Sequence, residues 1–381
     1  MKIAFVYDAV YPHVTGGAER RVWEIATRLA DEHDVHWYGL HCWDGPRVVE
    51  RDGVTLHGVM PWDDLYTDGR RSIREALEFA ARLAPHLLGA DFDVVDCQQF
   101  PYFPCFTAKL ASVGTETSLV VTWLEIWGDY WYDYLGRKGV AGKYVEKAVM
   151  RLPDYHLTGT DGNKQTLVDA GVNPDRVETG VLGGVDLTWI DGVEPHDEQT
   201  DLIFVGRLIE AKGVDTLVRA VERLRARNVD VTATVVGDGP ERDALESLAE
   251  RRGVADSVDF AGRVESDEEV IARMKSAALF VYPAAPEGGW SISVLEANAC
   301  GVPAVSVASG ELGRNEVVED GVTGLLADAR SHEEIASLVQ SLLADDDRRA
   351  ELGANARSFA ESQSWDAIAS RMDGIYESIG D

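Results

Sequence analysis

The chain has 381 residues and a formal net charge of −30 at pH 7, because it carries 66 acidic and only 36 basic residues. Such a charge repels nucleic-acid phosphates and argues against a general role in DNA or RNA binding. An acidic, lysine-poor surface stays hydrated in concentrated salt, so the composition is typical of a halophilic, salt-accumulating cytosol. The length exceeds that of one ordinary α/β core and predicts two domains of about 180 residues each.

The beginning of the chain and its apolar segments predict a cytoplasmic protein. Residues 2–7 form a predicted strand and lack the basic start and apolar core of a signal peptide. No apolar run reaches the roughly 18 residues that a membrane-spanning helix needs. The cysteines lack the spacing of metal ligands, which predicts reduced thiols, no disulfide and no structural zinc. They are Cys42, Cys97, Cys105 and Cys300.

Short β-branched segments alternate with helical segments along the chain, which predicts an α/β protein with parallel sheets covered by helices on both faces. In the first half the predicted strands cover residues 2–7, 35–40, 54–59, 93–96, 119–123, 156–159 and 177–182. In the second half they cover residues 202–206, 231–236, 258–260, 279–282, 304–307 and 325–327. The polar segment 191–200 contains Gly and Pro and interrupts the alternation, so we expect domains at 1–190 and 201–363.

A glycine turn follows the first predicted strand. Gly16 and Gly17 precede a segment with apolar residues at helical spacing. Glycine lets a ligand approach the backbone, and a helix amino end offers unpaired N–H groups to an anion. The pair is therefore either a phosphate contact or only a tight turn.

Two cations flank the loop after the first strand of the second half. Arg207 follows Gly206, and Lys212 lies five residues further on, before Gly213. At the carboxyl end of a strand, a guanidinium and an ammonium can bracket a diphosphate through charge-assisted hydrogen bonds. The alternative is a solvated arginine and a lysine that flanks a helix.

The segment 286–303 predicts a strand end, a glycine loop and a short helix. The helix amino end at Ser291 and Ile292 can bind phosphate through backbone N–H groups. The carboxylate of Glu296, one turn inside, can accept hydrogen bonds from two neighbouring sugar hydroxyls. The alternative is a helix packed through Ile292 and Leu295 with exposed glutamates.

The order of these motifs resembles the family 4, or group 1, glycosyltransferases of the GT-B fold over nearly the entire chain. The resembling motifs are Gly-Gly-Ala-Glu at 16–19, Gly-Val-Asp at 184–186, Gly-Arg-Leu to Lys-Gly at 206–213, Val-Gly-Asp-Gly-Pro at 236–240 and Leu-Glu-Ala-Asn-Ala-Cys-Gly at 295–301. The resemblance implies two Rossmann-like domains that face an interdomain cleft. It also implies a last helix, 364–381, that crosses back to the first domain.

The resemblance implies retaining transfer of a hexose-type sugar from a nucleotide diphosphate donor to a glycan or lipid-linked acceptor, without a bound metal or cofactor. Arg207 and Lys212 would stabilise the leaving diphosphate, Glu287 would lie near the donor sugar, and Glu296 would hold the ribose. The other donor-binding positions would be Gly16, Gly17, Gly206, Arg263, Gly289, Ser291 and Ile292. The acceptor side would hold Trp123, Leu124 and Glu125.

The chain departs from the family pattern at two places. Eight residues separate Glu287 from Glu296, one more than usual, and Leu124 stands where the family generally has a histidine. Leucine cannot form a hydrogen bond. Either the donor sugar lacks the relevant hydroxyl, or Glu125 takes over the role, or the protein binds a sugar nucleotide as a non-catalytic partner of another transferase.

Two other enzyme classes compete with the transferase. A sugar-nucleotide epimerase can share the same two-domain plan. An NAD-linked oxidoreductase is suggested by Gly237 and Gly239 after a strand, but the third glycine of the dinucleotide fingerprint is missing.

An aromatic and basic stretch covers residues 127–151. Trp123, Trp127 and Trp131 recur every four residues, and the cations Arg137, Lys138, Lys143, Lys147 and Arg151 follow. The stretch could make a peripheral contact with an anionic inner membrane face that carries a lipid-phosphate acceptor. The alternative is that the tryptophans belong to the core.

Overall fold

The computed structural model describes residues 1–14, 16–62, 66–67, 70–264, 266–284, 290–310 and 313–380. The chain divides into two compact units. Unit 1 comprises Met1–Gly183 and Trp365–Asp381, and unit 2 comprises Gly184–Ser364. Each unit contains one main sheet that is wholly or mostly parallel, together with helices, so the predicted α/β class is confirmed.

Unit 1 begins with the strands and helices of the predicted alternation. Its strands are β1 (Lys2–Val6), β2 (Asp34–His41), β3 (Val48–Arg51), β4 (Val54–Pro61), β5 (Tyr66–Thr67), β6 (Arg70–Arg71), β7 (Val94–Gln98), β8 (Ser118–Trp123), β9 (Tyr155–Thr158) and β10 (Val177–Glu178). Its first helices are α1 (Gly17–Leu29), α2 (Ile73–Leu87), α3 (Phe103–Ser112), α4 (Tyr130–Leu135), α5 (Gly139–Val149) and α6 (Asp161–Asp169).

The main sheet of unit 1 has the strand order β10-β9-β8-β7-β1-β2-β4-β3. Neighbouring strands are parallel except β3 and β4, which pair antiparallel. All five residues of β7 are buried, as expected for a strand covered by helices on both faces. The carboxyl ends of β8, β7 and β1 therefore lie side by side at one edge of the sheet.

Unit 2 repeats the alternation around a second sheet. Its strands are β11 (Thr200–Val205), β12 (Ala233–Val236), β13 (Val258–Gly262), β14 (Ala277–Tyr282), β15 (Ala304–Val307), β16 (Ser309–Gly310), β17 (Gly313–Arg314) and β18 (Gly324–Ala327). Its helices are α7 (Leu187–Gly192), α8 (Val214–Ala226), α9 (Arg242–Arg252), α10 (Asp267–Lys275), α11 (Ile292–Ala299), α12 (His332–Leu343) and α13 (Asp346–Ser362). The main sheet is parallel throughout, in the order β13-β12-β11-β14-β15-β18.

The last helix, α14 (Trp365–Gly380), belongs to unit 1 and packs against α1. Its apolar residues recur at helical spacing and are buried in the core of that unit. They are Trp365, Ile368, Met372 and Tyr376.

The chain passes from unit 1 to unit 2 at Gly183, before the polar segment 191–200 that suggested the boundary. That segment is tied to α10 and the residues after it. The backbone N–H of His196 donates to the carbonyl of Ala272 at 3.0 Å, and the Ser276 hydroxyl donates to the His196 carbonyl at 2.7 Å. Lys275 Nζ also donates to the Val193 carbonyl at 2.6 Å. The segment is therefore part of unit 2.

Candidate functional site

The loops after β11 and β12 lock together through their backbones. The N–H of Gly206 donates to the Val236 carbonyl at 3.0 Å, and the N–H of Leu208 donates to the Asp238 carbonyl at 2.9 Å. A Cβ on Gly237, whose φ is 136°, would lie 1.9 Å from the Gly206 carbonyl oxygen. The glycine after β12 is therefore explained by this close approach, and no dinucleotide motif is needed to account for it.

The interlocked loops hold the two predicted cations at the carboxyl end of β11. The Arg207 side chain is exposed and forms no hydrogen bond or ion pair with the residues that the structure describes, although its backbone carbonyl accepts a 3.0 Å hydrogen bond from the Ile209 N–H. Lys212 is half-buried, and its Nζ lies 5.5 Å from the ring centroid of Tyr282 at the end of β14. Gly213 follows in the left-handed conformation with φ of 74°. Two positive groups thus come from one loop with a fixed backbone.

Helix α11 starts at the carboxyl edge of the same sheet. Ser291 is its N-cap residue in extended conformation, and its side chain does not cap the first turn. Its hydroxyl instead lies 3.1 Å from that of Ser293. Ile292 is 40% exposed and Glu296 is half-buried one turn later. The amino end of α11 and a carboxylate therefore occur together, as an anion and a diol would require.

The remaining positions that the sequence analysis predicts to bind the donor are distributed along this sheet edge or lie outside the described residues. Arg263 is exposed directly after β13, which is the edge strand beside β12. The strand order then leads from Arg263 past Gly206 to the β14 end that precedes α11. Glu287 and Gly289 lie outside the described residues.

In unit 1 the glycine turn forms the start of α1. Gly16 is the N-cap in extended conformation without a side-chain cap, and Glu19 folds back so closely that a Cβ on Gly16 would lie 2.7 Å from its Oε1. Gly17 differs, because no described atom outside its chain neighbours and its own helix backbone lies within 4 Å of its Cβ position. Packing within the chain therefore explains a glycine at position 16 but leaves the space beside Gly17 open.

The loop after β8 is fixed by a residue that the sequence analysis did not single out. The Gln99 side chain accepts a 2.8 Å hydrogen bond from the Leu124 N–H and donates a 3.2 Å bond to the Glu125 carbonyl. The Gln99 N–H also donates to the Thr122 carbonyl at 2.9 Å. The sequence contains one signal for this role. Gln98 and Gln99 are polar residues at the carboxyl end of a predicted strand, where the residues that line ligand sites in parallel sheets occur.

The three predicted acceptor-side residues have different environments. Trp123 is fully buried, and its indole N–H donates to Nδ1 of His156 at 3.0 Å. Its side chain is therefore part of the core of unit 1. Leu124 is half-buried at the edge. Glu125 is exposed, and its Oε2 accepts a 2.9 Å hydrogen bond from the Trp127 indole.

Glu146 on α5 holds the next part of this loop. It is 1% exposed, and its carboxylate accepts hydrogen bonds of 2.9 Å from the N–H groups of Trp127 and Gly128 and from the Tyr102 hydroxyl. Trp127 and Trp131 pack together with ring centroids 4.7 Å apart, and Trp131 is 6% exposed. The tryptophan stripe is therefore packed largely inside unit 1.

A buried polar network lies beneath the edge of the unit 1 sheet. Asp96 on β7 accepts hydrogen bonds from Tyr376 at 2.6 Å and from Thr122 at 2.9 Å. Burial raises the pKa of Asp96, while the Arg21 guanidinium and the two hydroxyls counter part of that rise. Arg21 is itself fully buried and donates to the Val181 carbonyl at 2.9 Å. The network connects α1 and α14 to the centre of the sheet.

Two family models match the chain and together span most of it. The model described as glycosyl transferases group 1 matches residues 188–359, and the glycosyl transferase 4-like domain matches residues 16–180. The chain belongs to the group 1 glycosyl transferases. The predicted family resemblance is therefore confirmed.

Curated relatives match part of the chain. A GDP-mannose-dependent alpha-(1-6)-phosphatidylinositol monomannoside mannosyltransferase of Mycobacterium tuberculosis is 37% identical over 182 residues, which are 46% of each chain. A D-inositol 3-phosphate glycosyltransferase of Rhodococcus jostii is 32% identical over 237 residues, or 58% of this chain and 50% of the relative. The chain thus spans about half the length of the curated relatives it matches.

Solved structures match over almost the whole length. Anabaena HepE in complex with UDP superposes with a TM-score of 0.74 at 18% identity, covering 99% of this chain and 100% of the other. Sucrose-phosphate synthase from Thermosynechococcus elongatus superposes with a TM-score of 0.73 at 20% identity, covering 99% and 98%. These likenesses show the fold, and the predicted GT-B fold class of the chain is confirmed.

Proposed function

We propose that this protein is a retaining glycosyltransferase that moves a hexose from a nucleotide diphosphate sugar to a glycan or lipid-linked acceptor. The observation that carries the proposal is the cation pair on the loop after β11. Arg207 is exposed and unpaired among the described residues, although the chain has 66 acidic residues that could neutralise it. A positive group without a carboxylate partner is ready to bind an anionic ligand.

The donor would bind to unit 2 along the carboxyl edge of its sheet. The diphosphate would contact Arg207, Lys212 and the amino end of α11, where backbone N–H groups and the helix dipole favour negative charge. Glu296 would accept hydrogen bonds from the ribose hydroxyls. The backbone near Arg263 and the donor-side glycines would contact the rest of the nucleotide, and Glu287 would lie near the sugar.

In the transfer step, the bond between the anomeric carbon and the diphosphate oxygen breaks while an acceptor hydroxyl attacks from the same face. The leaving diphosphate gains negative charge, which Arg207 and Lys212 stabilise in the role that a metal ion has in other transferases. The acceptor proton passes to a diphosphate oxygen. No bound metal or cofactor is needed for this chemistry, and no carboxylate nucleophile is required.

Unit 1 would bind the acceptor beside α1 and the loop after β8. The relatives described above are a GDP-mannose-dependent mannosyltransferase and a D-inositol 3-phosphate glycosyltransferase. These names support a hexose donor such as mannose and a hydroxyl-rich acceptor. Leu124 and Glu125 would then act in substrate selection, with Leu124 providing an apolar contact.

The proposal is tested by incubating the protein with GDP-mannose or UDP-glucose, with and without D-inositol 3-phosphate or a polyprenyl phosphate. Transfer of the sugar with the anomeric configuration retained, as read by NMR of the product, is the expected result. Conversion of the donor sugar into its epimer would instead identify an epimerase. Donor binding without turnover on any acceptor would identify a non-catalytic partner, and either result contradicts the proposal.

We further propose that the enzyme contacts the inner membrane face through residues 127–151. Among the described residues, no helix is long and apolar enough to cross a bilayer. Val140, Tyr144 and Lys147 lie at i, i+4 and i+7 on α5, and all three side chains are exposed, Tyr144 by 71%. Exposed aromatic and cationic side chains on one helix face favour binding to anionic lipid in the cytoplasmic leaflet.

Flotation with lipid vesicles tests this contact. We expect binding to vesicles that contain phosphatidylglycerol and weaker binding to phosphatidylcholine alone. A Tyr144→Ser, Lys147→Ser variant should lose that binding, whereas Val322→Ser, which removes an apolar side chain that is 38% exposed in unit 2, should keep it. Equal binding by both variants would contradict the proposed contact.

A further inference from the structure

One buried side chain at the edge of the unit 1 sheet has no hydrogen-bond partner. Gln98 is the last residue of β7 and is only 2% exposed. Neither its Oε1 nor its Nε2 contacts a hydrogen-bonding group among the described residues. Most buried amides are bonded, because an unsatisfied donor or acceptor destabilises the folded state. The adjacent Gln99, by contrast, uses both its amide atoms within the chain.

The position of Gln98 on the strand places it below the start of α1. Side chains two residues apart on a strand share one face, so Gln98 lies on the same face as Asp96. That face is the one covered by α1 and α14, because Tyr376 donates to Asp96 and Arg21 interacts with it electrostatically. Gln98 is one strand step nearer the carboxyl edge than Asp96.

One turn of α1 covers nearly the same distance as the step from Asp96 to Gln98 on β7. Gly17 precedes Arg21 by four residues, which is slightly more than one turn, or about 6 Å, toward the amino end of α1. A strand step of two residues is about 6.6 Å. Moving from the Arg21 and Asp96 pair toward the carboxyl edge therefore leads to Gly17 on the helix and to Gln98 on the strand.

The surroundings of Gln98 leave its amide for a ligand. Thr122, its neighbour on β8, already donates to Asp96, and Leu124 further along has no side-chain group that can form a hydrogen bond. The space beside Gly17 is open, because no described atom outside its chain neighbours and its own helix backbone lies within 4 Å of its Cβ position. The unpaired amide and the open start of α1 thus occur at the same place in the fold.

We infer that Gln98 is a specificity-determining residue that hydrogen-bonds a hydroxyl of a polyol or sugar acceptor bound beside the start of α1. An amide can both donate and accept a hydrogen bond, as a hydroxyl can, so a ligand hydroxyl bound to Gln98 gives each of the two groups a partner. This inference rests on the proposed transferase function.

The test compares the wild type with Gln98→Met, which keeps the length of the side chain and removes the amide. Binding of D-inositol 3-phosphate and of methyl α-mannoside is followed by saturation-transfer NMR, and thermal unfolding is followed in parallel. At least one probe should bind the wild type, and its affinity should fall about tenfold in Gln98→Met. Affinity for GDP or UDP should not change, and the unfolding midpoint should stay the same or rise.

Three results would overturn the inference. The wild type binds neither probe, or Gln98→Met binds the probes as well as the wild type does, or Gln98→Met has a lower unfolding midpoint, which would show an amide bonded inside the protein. Glu116→Gln is the matched control, since this exposed residue lies away from the start of α1. Failure of the transferase proposal is distinguishable, because it would appear as absent sugar transfer by the wild type.

Discussion

The hydroxyl of Tyr376 donates a 2.6 Å hydrogen bond to Oδ2 of Asp96, although 280 residues separate the two in sequence. Both side chains are fully buried. The bond ties α14 to the central strand β7, next to the edge where Gln98 and Gln99 lie. The position of the last helix and the carboxyl edge of the unit 1 sheet are therefore connected through this polar contact.

The first prediction concerns this contact. Tyr376→Phe should lower the free energy of unfolding by about 1–3 kcal/mol, because it leaves a buried carboxylate with one hydrogen bond fewer. Urea unfolding followed by fluorescence measures the change. Tyr144→Phe, at a side chain that is 71% exposed, is the control and should leave stability unchanged. An equal effect of the two substitutions would show that the buried bond contributes nothing specific.

The second prediction separates catalysis from stability. Arg207→Ala should reduce kcat about 100-fold, because in the proposed function the guanidinium stabilises charge that develops on the leaving diphosphate. The free energy of unfolding should change by less than about 0.5 kcal/mol, since the side chain is exposed. Steady-state transfer assays and urea unfolding give both quantities. Arg251→Ala, at another exposed arginine, should leave kcat as it is.

The third prediction compares two glycines with opposite surroundings. Gly17→Ala should raise stability by about 0.5 kcal/mol, because the helical backbone accepts alanine and the methyl group meets no described atom. It should also weaken substrate binding, since the methyl group fills the open space. Gly237→Ala should lower stability by about 3 kcal/mol, because its Cβ would lie 1.9 Å from the Gly206 oxygen. A Gly17→Ala enzyme with normal KM values would remove Gly17 from the binding site.

Most of the fold could be predicted from sequence because β-branched segments mark the buried parallel strands. β3 was not predicted, because this edge strand is largely exposed and lacks a clear apolar pattern. β10 covers only Val177–Glu178 instead of the predicted 177–182, since Gly180 has φ of 71° and leaves the strand conformation.

The glycine and cation motifs of the candidate site could also be read from sequence, since each is a local pattern. The two side chains that hold the loop after β8, Gln99 and Glu146, could not be predicted from sequence. Gln99 bonds to backbone groups 25 and 26 residues away, and Glu146 bonds to groups 18 and 19 residues away. Such contacts depend on which strands become neighbours, and no local spacing encodes them.

The fourth prediction concerns acid stability. Burial, and to a smaller extent the charge of Arg176, lower the pKa of His156 from 6.5 to about 4, and Asp154 partly opposes the change. The unfolded chain therefore binds a proton that the folded chain rejects, and stability falls as the pH decreases from 6.5 toward 4. The contribution of this side chain is at most about 3 kcal/mol.

His156→Gln tests this prediction, because glutamine can still accept the Trp123 indole N–H and does not titrate. Urea unfolding between these pH values should show a smaller loss of stability for His156→Gln than for the wild type. His332→Gln, at a histidine that is not fully buried, should follow the wild-type curve. Identical pH profiles for all three proteins would exclude His156 as a source of the acid sensitivity.

The fifth prediction concerns salt. Because the net charge is −30, the acidic side chains repel one another in the folded state, and added salt screens that repulsion. The thermal unfolding midpoint should therefore rise between about 0.1 and 2 M KCl. Glu116→Gln, Asp230→Asn and Glu250→Gln together remove three exposed charges, from −30 to −27, and should reduce the salt dependence. A midpoint that falls with KCl would contradict the halophilic interpretation of the acidic surface.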